Sequence, residues 1–198
     1  MARINPKFAS RVSGELWLAH DYGKVYATEE IKDGTKRLWI AASYDGSQVL
    51  QALSRSLKEP FFLLYVLVIF RGGGKVGRYQ SGELSHSELD AMFARFGEFW
   101  DSDGRHSVWL RSEADDATLV YDRHNLIFAY GPLSRFELVL ESLGYTQVSK
   151  LSLSFEHEHH YYAEFDALER ELTTKFADQR SELQPGDEKS VLICVIRG

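Results

Sequence analysis

The chain has 198 residues, 44% of them hydrophobic and 26% charged, with a formal net charge of −6. That length and mix fit one soluble domain with its own core, and an acidic balance without a basic run argues against nucleic-acid binding. A single cysteine, Cys194, excludes a disulfide framework within the chain and points to a reducing cytoplasm.

Residues 1–13 have no clear periodicity and read as an N-terminal arm ahead of a single domain spanning 14–198. No apolar signal core precedes Gly14, so no signal peptide is expected. Three strands are expected at 14–20, 23–30 and 36–43, with a hairpin signal at Lys32-Asp33-Gly34. Ser47 would cap a helix carrying Leu50, Leu53 and Leu57. Pro60 ends it and opens the apolar run 61–70, whose two apolar faces predict a central strand. The run is about half of what a membrane span needs.

A glycine-rich turn and a short strand at 76–80 lead to the strongest helix signal, 85–100. There Ser85 and Glu88 form a capping box, and Leu89, Met92, Phe93, Phe96 and Trp100 make one stripe. Strands at 106–111, 117–122 and 126–130 follow, then a helix capped by Ser134 with Glu137. A strand at 147–157, a helix at about 164–178 and a C-terminal strand at 189–196 complete the chain. Consecutive strands on short turns predict an α+β fold, a mostly antiparallel sheet with helices on one side. Residues 14–58 and 106–144 both read β-β-β-α, which suggests a duplicated layout. From 61 to 155 the element order resembles a ferredoxin-like arrangement with an extra strand, a likeness that implies no activity.

The chemistry-bearing residues concentrate at His157-Glu158-His159-His160. Leu151, Leu153 and Phe155 alternate with Ser152, Ser154 and Glu156, so an unbroken strand carries His157 and His159 onto the leucine face and turns His160 away. Two imidazoles at i and i+2, with Glu164 after a turn, form a candidate site for a divalent metal, Zn or Mn. Asp166, or His124 brought in by folding, would serve as a base beside it. His157-x-His159 with Glu164 five residues on resembles the first motif of the cupin family. No glycine precedes it at the family's distance, no second histidine-bearing strand follows, and a helix succeeds Glu164, so a cupin barrel is not expected.

Gly72-Gly73-Gly74-Lys75-Val76-Gly77 satisfies G-x-G-x-x-G, but the next helix starts about eight residues too late for a dinucleotide fingerprint. A hairpin tip is expected instead, with Arg71, Gly73, Gly74, Lys75 and Arg78 as candidate anion contacts. Asp122-Arg123-His124-Asn125 reads as turn chemistry. No nucleophile elbow is present, and Cys194 lies in an apolar run unsuited to a reactive thiolate.

Without a complete catalytic constellation, the sequence favours a non-catalytic binding or regulatory module that acts through a protein partner, needs no cofactor and follows the default of homodimerisation. The other expectation is a metal-dependent, hydrolase-like enzyme built on His157, His159 and Glu164.

Overall fold

The computed structural model describes residues 6–14, 16–31, 33–151 and 156–187. Among these, the chain begins with β1 (Phe8–Ser13), β2 (Leu16–Ala19), β3 (Val25–Glu30), β4 (Lys36–Ala41), α1 (Gly46–Arg55), β5 (Phe61–Leu67) and β6 (Gly77–Gln80). It continues with α2 (His86–Ser102), β7 (His106–Ser112), β8 (Ala117–Tyr121), β9 (Leu126–Tyr130), α3 (Leu133–Ser142) and β10 (Thr146–Gln147). The last elements are β11 (His157–His159), a one-turn 3-10 helix (Ala163–Phe165), α4 (Asp166–Lys175), a second 3-10 turn (Ala177–Gln179) and β12 (Arg180–Ser181).

The fold is α+β, as the alternating strand signals and capped helices imply. Among the described residues, nine strands form the main sheet in the order β10-β3-β4-β9-β8-β7-β5-β6-β12. Every neighbouring pair is antiparallel except β10 beside β3. β4 leads through α1 to a strand on the far side of β9, and β9 leads through α3 to a strand on the far side of β4, whereas β2, the first strand of the expected 14–58 unit, lies outside this sheet. α1, α2, α3 and α4 each bury apolar residues in one cluster with Leu38, Ile40, Leu63, Tyr65 and Leu119 of the sheet. A smaller cluster on the opposite face holds Ala27, Ala41, Leu126, Phe128 and Leu151. No helix among the described residues is long and apolar enough to cross a membrane.

Local signals held where they were strongest. The Ser85–Glu88 box caps α2, and Leu89, Met92, Phe93, Phe96 and Trp100 are buried. Two expected caps differ. Ser47 sits inside α1, where its amide donates to Asp101 of α2 at 2.7 Å, so a carboxylate distant in sequence does the capping. α3 starts at Leu133 after Pro132, which puts Ser134 within the helix. The 61–70 run lies between β6 and β7, with Phe62 and Leu64 only half-buried.

The segment read as an arm is the largest difference. Residues 8–13 form β1, which pairs with β2 on one side and β11 on the other, making a second, three-stranded sheet. Lys7 is buried just before it, its Nζ donating to the Asp122 carbonyl at 2.8 Å and lying 3.7 Å from the centre of the Tyr121 ring. The expected strand 147–157 is divided: β10 ends at Gln147, and Ser152 to Phe155 lie outside the described residues. The expected C-terminal strand, with Cys194, also lies outside them.

Candidate metal centre

The second sheet positions the site. β11 pairs antiparallel with β1 in the register Phe8↔His159 and Ser10↔His157, and paired residues point to the same side. Phe8, Ser10, His157 and His159 therefore share one face, and that face meets the β8–β9 turn. The turn is built by Asp122: its Oδ1 accepts from the amides of His124 (2.8 Å) and Leu126 (2.9 Å). Asn125 takes the left-handed conformation, with φ of 58°. The turn thus projects the His124 side chain inward.

His124, His157 and His159 each offer a ring nitrogen, and these lie within 4.8 Å of one another. His124 Nε2 and His157 Nε2 are 3.0 Å apart. A tetrahedral metal with Zn–N bonds of about 2.0–2.1 Å needs ligand nitrogens roughly 3.3 Å apart, so small side-chain shifts suffice. His124 and His157 have no exposure, and both His159 nitrogens are buried without a hydrogen-bond partner among the described residues. Burial first, then the charges of Arg123 and the other two histidines, pushes the His159 pKa down. Its imidazole stays neutral, the form that binds metals.

Asp122 orients the group. Its Oδ2 lies 2.9 Å from His124 Nδ1, so a neutral His124 ring keeps its proton on Nδ1 and presents the Nε2 lone pair to His157 Nε2, 3.0 Å away. Burial alone would raise the Asp122 carboxyl, but His124 and the two amides outweigh it and hold its pKa below the usual range.

Glu164 lies outside this group, exposed on the 3-10 turn after β11, and His124 stands as the third member. His160 faces the other way, half-buried against the Pro6 carbonyl (3.2 Å) and Glu158 (3.2 Å). Asp166 is engaged elsewhere, paired with Arg105 at 3.0 Å and Arg71 at 3.3 Å. His106 is buried but sits among Phe99 (4.5 Å) and Tyr65 (5.0 Å), apart from the three.

The glycine loop already holds an anion, one from the protein itself. The amides of Arg71 and Gly72 donate to the two Glu169 carboxylate oxygens at 3.0 and 2.8 Å. Gly74 packs on Thr173, while Arg78 pairs with Asp187 at 3.5 Å and lies over Trp109. Gly73 has φ of 96°, and the Lys75 carbonyl accepts from Tyr79 at 2.6 Å.

Two neighbours of the histidines give expected outcomes. A Cβ at Gly104 would stand 2.8 Å from the Lys7 carbonyl and 2.9 Å from His159 Nδ1. Gly104→Ala should therefore cost about 1–3 kcal/mol, the scale of overpacking. It should also weaken metal uptake, both effects read by denaturant melts with and without zinc.

Burial lowers the Lys7 pKa from 10.5 to about 8 against the opposing pull of Asp122. Below about pH 8 the folded state carries the full cost of the buried charge, and that cost disappears as pH rises towards the unfolded-state pKa. Stability of the wild type relative to Lys7→Met should therefore rise by about 1.4 kcal/mol per pH unit between these values. Metal-free denaturant melts from pH 7.5 to 10 would test this, and a flat difference would contradict it.

No protein-family model, curated protein or solved structure matches this chain.

Proposed function

We propose that the protein binds one divalent transition metal through His124, His157 and His159 and uses a metal-bound water for hydrolytic chemistry. The observation that carries this reading is His159: two buried ring nitrogens without partners among the described residues, beside two further imidazoles. An unsatisfied buried polar group costs about 1–3 kcal/mol, and a bound ion would remove that cost for one of the two His159 nitrogens. Three imidazoles favour zinc over manganese, which prefers oxygen ligands. Three protein ligands with a carboxylate behind one of them leave a fourth position for water, the arrangement of catalytic rather than closed structural zinc. The metal would lower the pKa of that water and supply the nucleophile that the side chains do not. The reducing cytoplasm suggested by the lone cysteine would suit free thiols and zinc alike.

Elemental analysis of protein purified from zinc-supplemented cells tests the reading. One zinc per chain is expected, together with a stabilisation of about 4 kcal/mol at a thousandfold excess over Kd, reversed by chelation. Ester and phosphoester hydrolysis should vanish with the metal and return with it. No retained zinc or manganese and no thermal shift would end this reading.

A second reading rests on a different observation. Val12, Leu16 and Leu18 on the β1–β2 hairpin are 58%, 50% and 51% exposed. Apolar side chains grouped on one short hairpin suit a protein partner or a second copy of the chain. Val12→Ser/Leu18→Ser with unchanged partner capture and unchanged oligomeric state would remove it.

A further inference from the structure

The helices pack on one face of the main sheet, and the smaller cluster occupies part of the other. Strand register traces that second face outward. Trp39 pairs with Phe128, Phe128 with Val120, Val120 with Trp109, Trp109 with Leu64 and Leu64 with Gln80. Paired residues share a side, so these residues form one row from β4 to β6. Beyond Val120 the row opens into a groove of about 330 Å³, whose lining includes Phe62, Leu64, Gln80, Trp109, Arg111 and Thr118. Phe62, Leu64 and Trp109 are only half-buried there.

The described chain ends beside this groove. Pro185 and Gly186 make a turn in which the Asp187 amide donates to the Gln184 carbonyl at 3.0 Å, and Gly186 takes a φ of 113°. The Asp187 carboxylate accepts from the Gln184 amide at 2.6 Å and pairs with Arg78 at 3.5 Å, its side chain only 4% exposed. The Arg78 guanidinium in turn lies 5.5 Å from the centre of the Trp109 ring. One cation therefore ties Asp187, the last described residue, to the aromatic wall of the groove.

The sequence beyond Asp187 matches what the groove offers. Glu188, Lys189 and Ser190 lead into an uninterrupted apolar run, Val191 to Ile196. Left in water, a run with high β-propensity, no charge and no proline is an aggregation hazard. Fully extended it spans about 20 Å, and β6, β5, β7 and β8 at about 4.8 Å spacing extend about 14 Å from first to last. Reach and polarity both fit.

We propose that residues 188–198 lie across the outer side of β6, β5, β7 and β8 and bury the run Val191 to Ile196 against Phe62, Leu64 and Trp109 of their own chain. The Arg78–Asp187 pair fixes where the segment sets out, and the groove is an intramolecular docking surface. This surface is separate from the histidine centre, and its test is independent of the metal reading.

Cys194 is the only cysteine, so the full-length protein takes a single nitroxide label there without further change. Amide NMR signals of residues 62–64, 109–111 and 118–120 are expected to be lost by paramagnetic broadening, while those of α3 remain. Leu64→Asp, which puts a charge in the groove, should restore the lost signals. Thr118→Glu at the half-buried rim carries the test if the first variant does not fold. A second labelled form, Cys194→Ser/Gly198→Cys, covers the case in which the label at position 194 itself displaces the segment. Groove signals unchanged by both labelled forms overturn the proposal. Broadening that persists undiminished in both groove variants also overturns it, because the segment is then near the groove without being held by it. Broadening of an isotope-labelled, nitroxide-free chain mixed with a nitroxide-bearing one overturns the intramolecular occupant in favour of a second copy.

Discussion

Replacing His157 with alanine should reduce bound zinc from about one per chain to a small fraction. A three-imidazole site with an apparent binding free energy on the order of 10 kcal/mol loses roughly a third of it with one ligand. The affinity then falls by about a hundredfold or more. His124→Ala and His159→Ala should match it, because each removes one of three convergent nitrogens. Asp122→Asn should be milder, about 10–100-fold, since it leaves three imidazoles in place but loses the carboxylate that holds His124 Nδ1. Competition against a chromophoric chelator measures these ratios directly, and circular dichroism separates lost metal from lost fold. Equal zinc retention in the wild type and in all three alanine variants would place the metal elsewhere.

Arg105→Met should destabilise the protein by about 3–5 kcal/mol, the largest stability effect expected from any single change described here. The guanidinium has no exposure and meets Asp103 at 2.7 Å, Glu169 at 2.5 Å and Asp166 at 3.0 Å, and it also donates to the Tyr162 carbonyl at 2.8 Å. Asp103 and Glu169 are themselves fully buried. Removing the cation leaves carboxylates in a low-dielectric interior, and their repulsion, not the lost methylene contacts, sets the size of the effect. Denaturant unfolding at neutral pH measures it. A loss below about 1 kcal/mol would mean that water reaches the network.

The parts of the fold written in short-range pattern were legible. The Ser85–Glu88 box, the α2 stripe and the hairpin turns each involve residues within a few positions, where propensity and periodicity act. The parts that failed depend on partners far along the chain. β1 carries no periodic signal because its two sides are satisfied by β2 and by β11, about 150 positions away. Asp101 caps α1 across 54 residues, and no local motif announces it. The histidine pair was visible as a cluster, and His124 only as a base brought beside it, not as a third ligand: His124 and His157 are 33 residues apart and meet through a turn that reads as ordinary Asp/Asn chemistry. The rhythm from Leu151 to Phe155, which suggested where the imidazoles point, runs through residues outside those described. The inward face of His157 and His159 rests instead on the β1 register.

The glycine loop has a consequence for solution behaviour. Its amides are occupied by a carboxylate on the same polypeptide, a tethered competitor whose effective concentration far exceeds that of a free ion. A phosphate or sulfate entering there would have to evict Glu169, and eviction would strip Arg105 of its closest partner. Oxyanions at this loop would therefore loosen the interior beneath it, the reverse of the rigidity that a phosphate-gripping loop gains from its ligand.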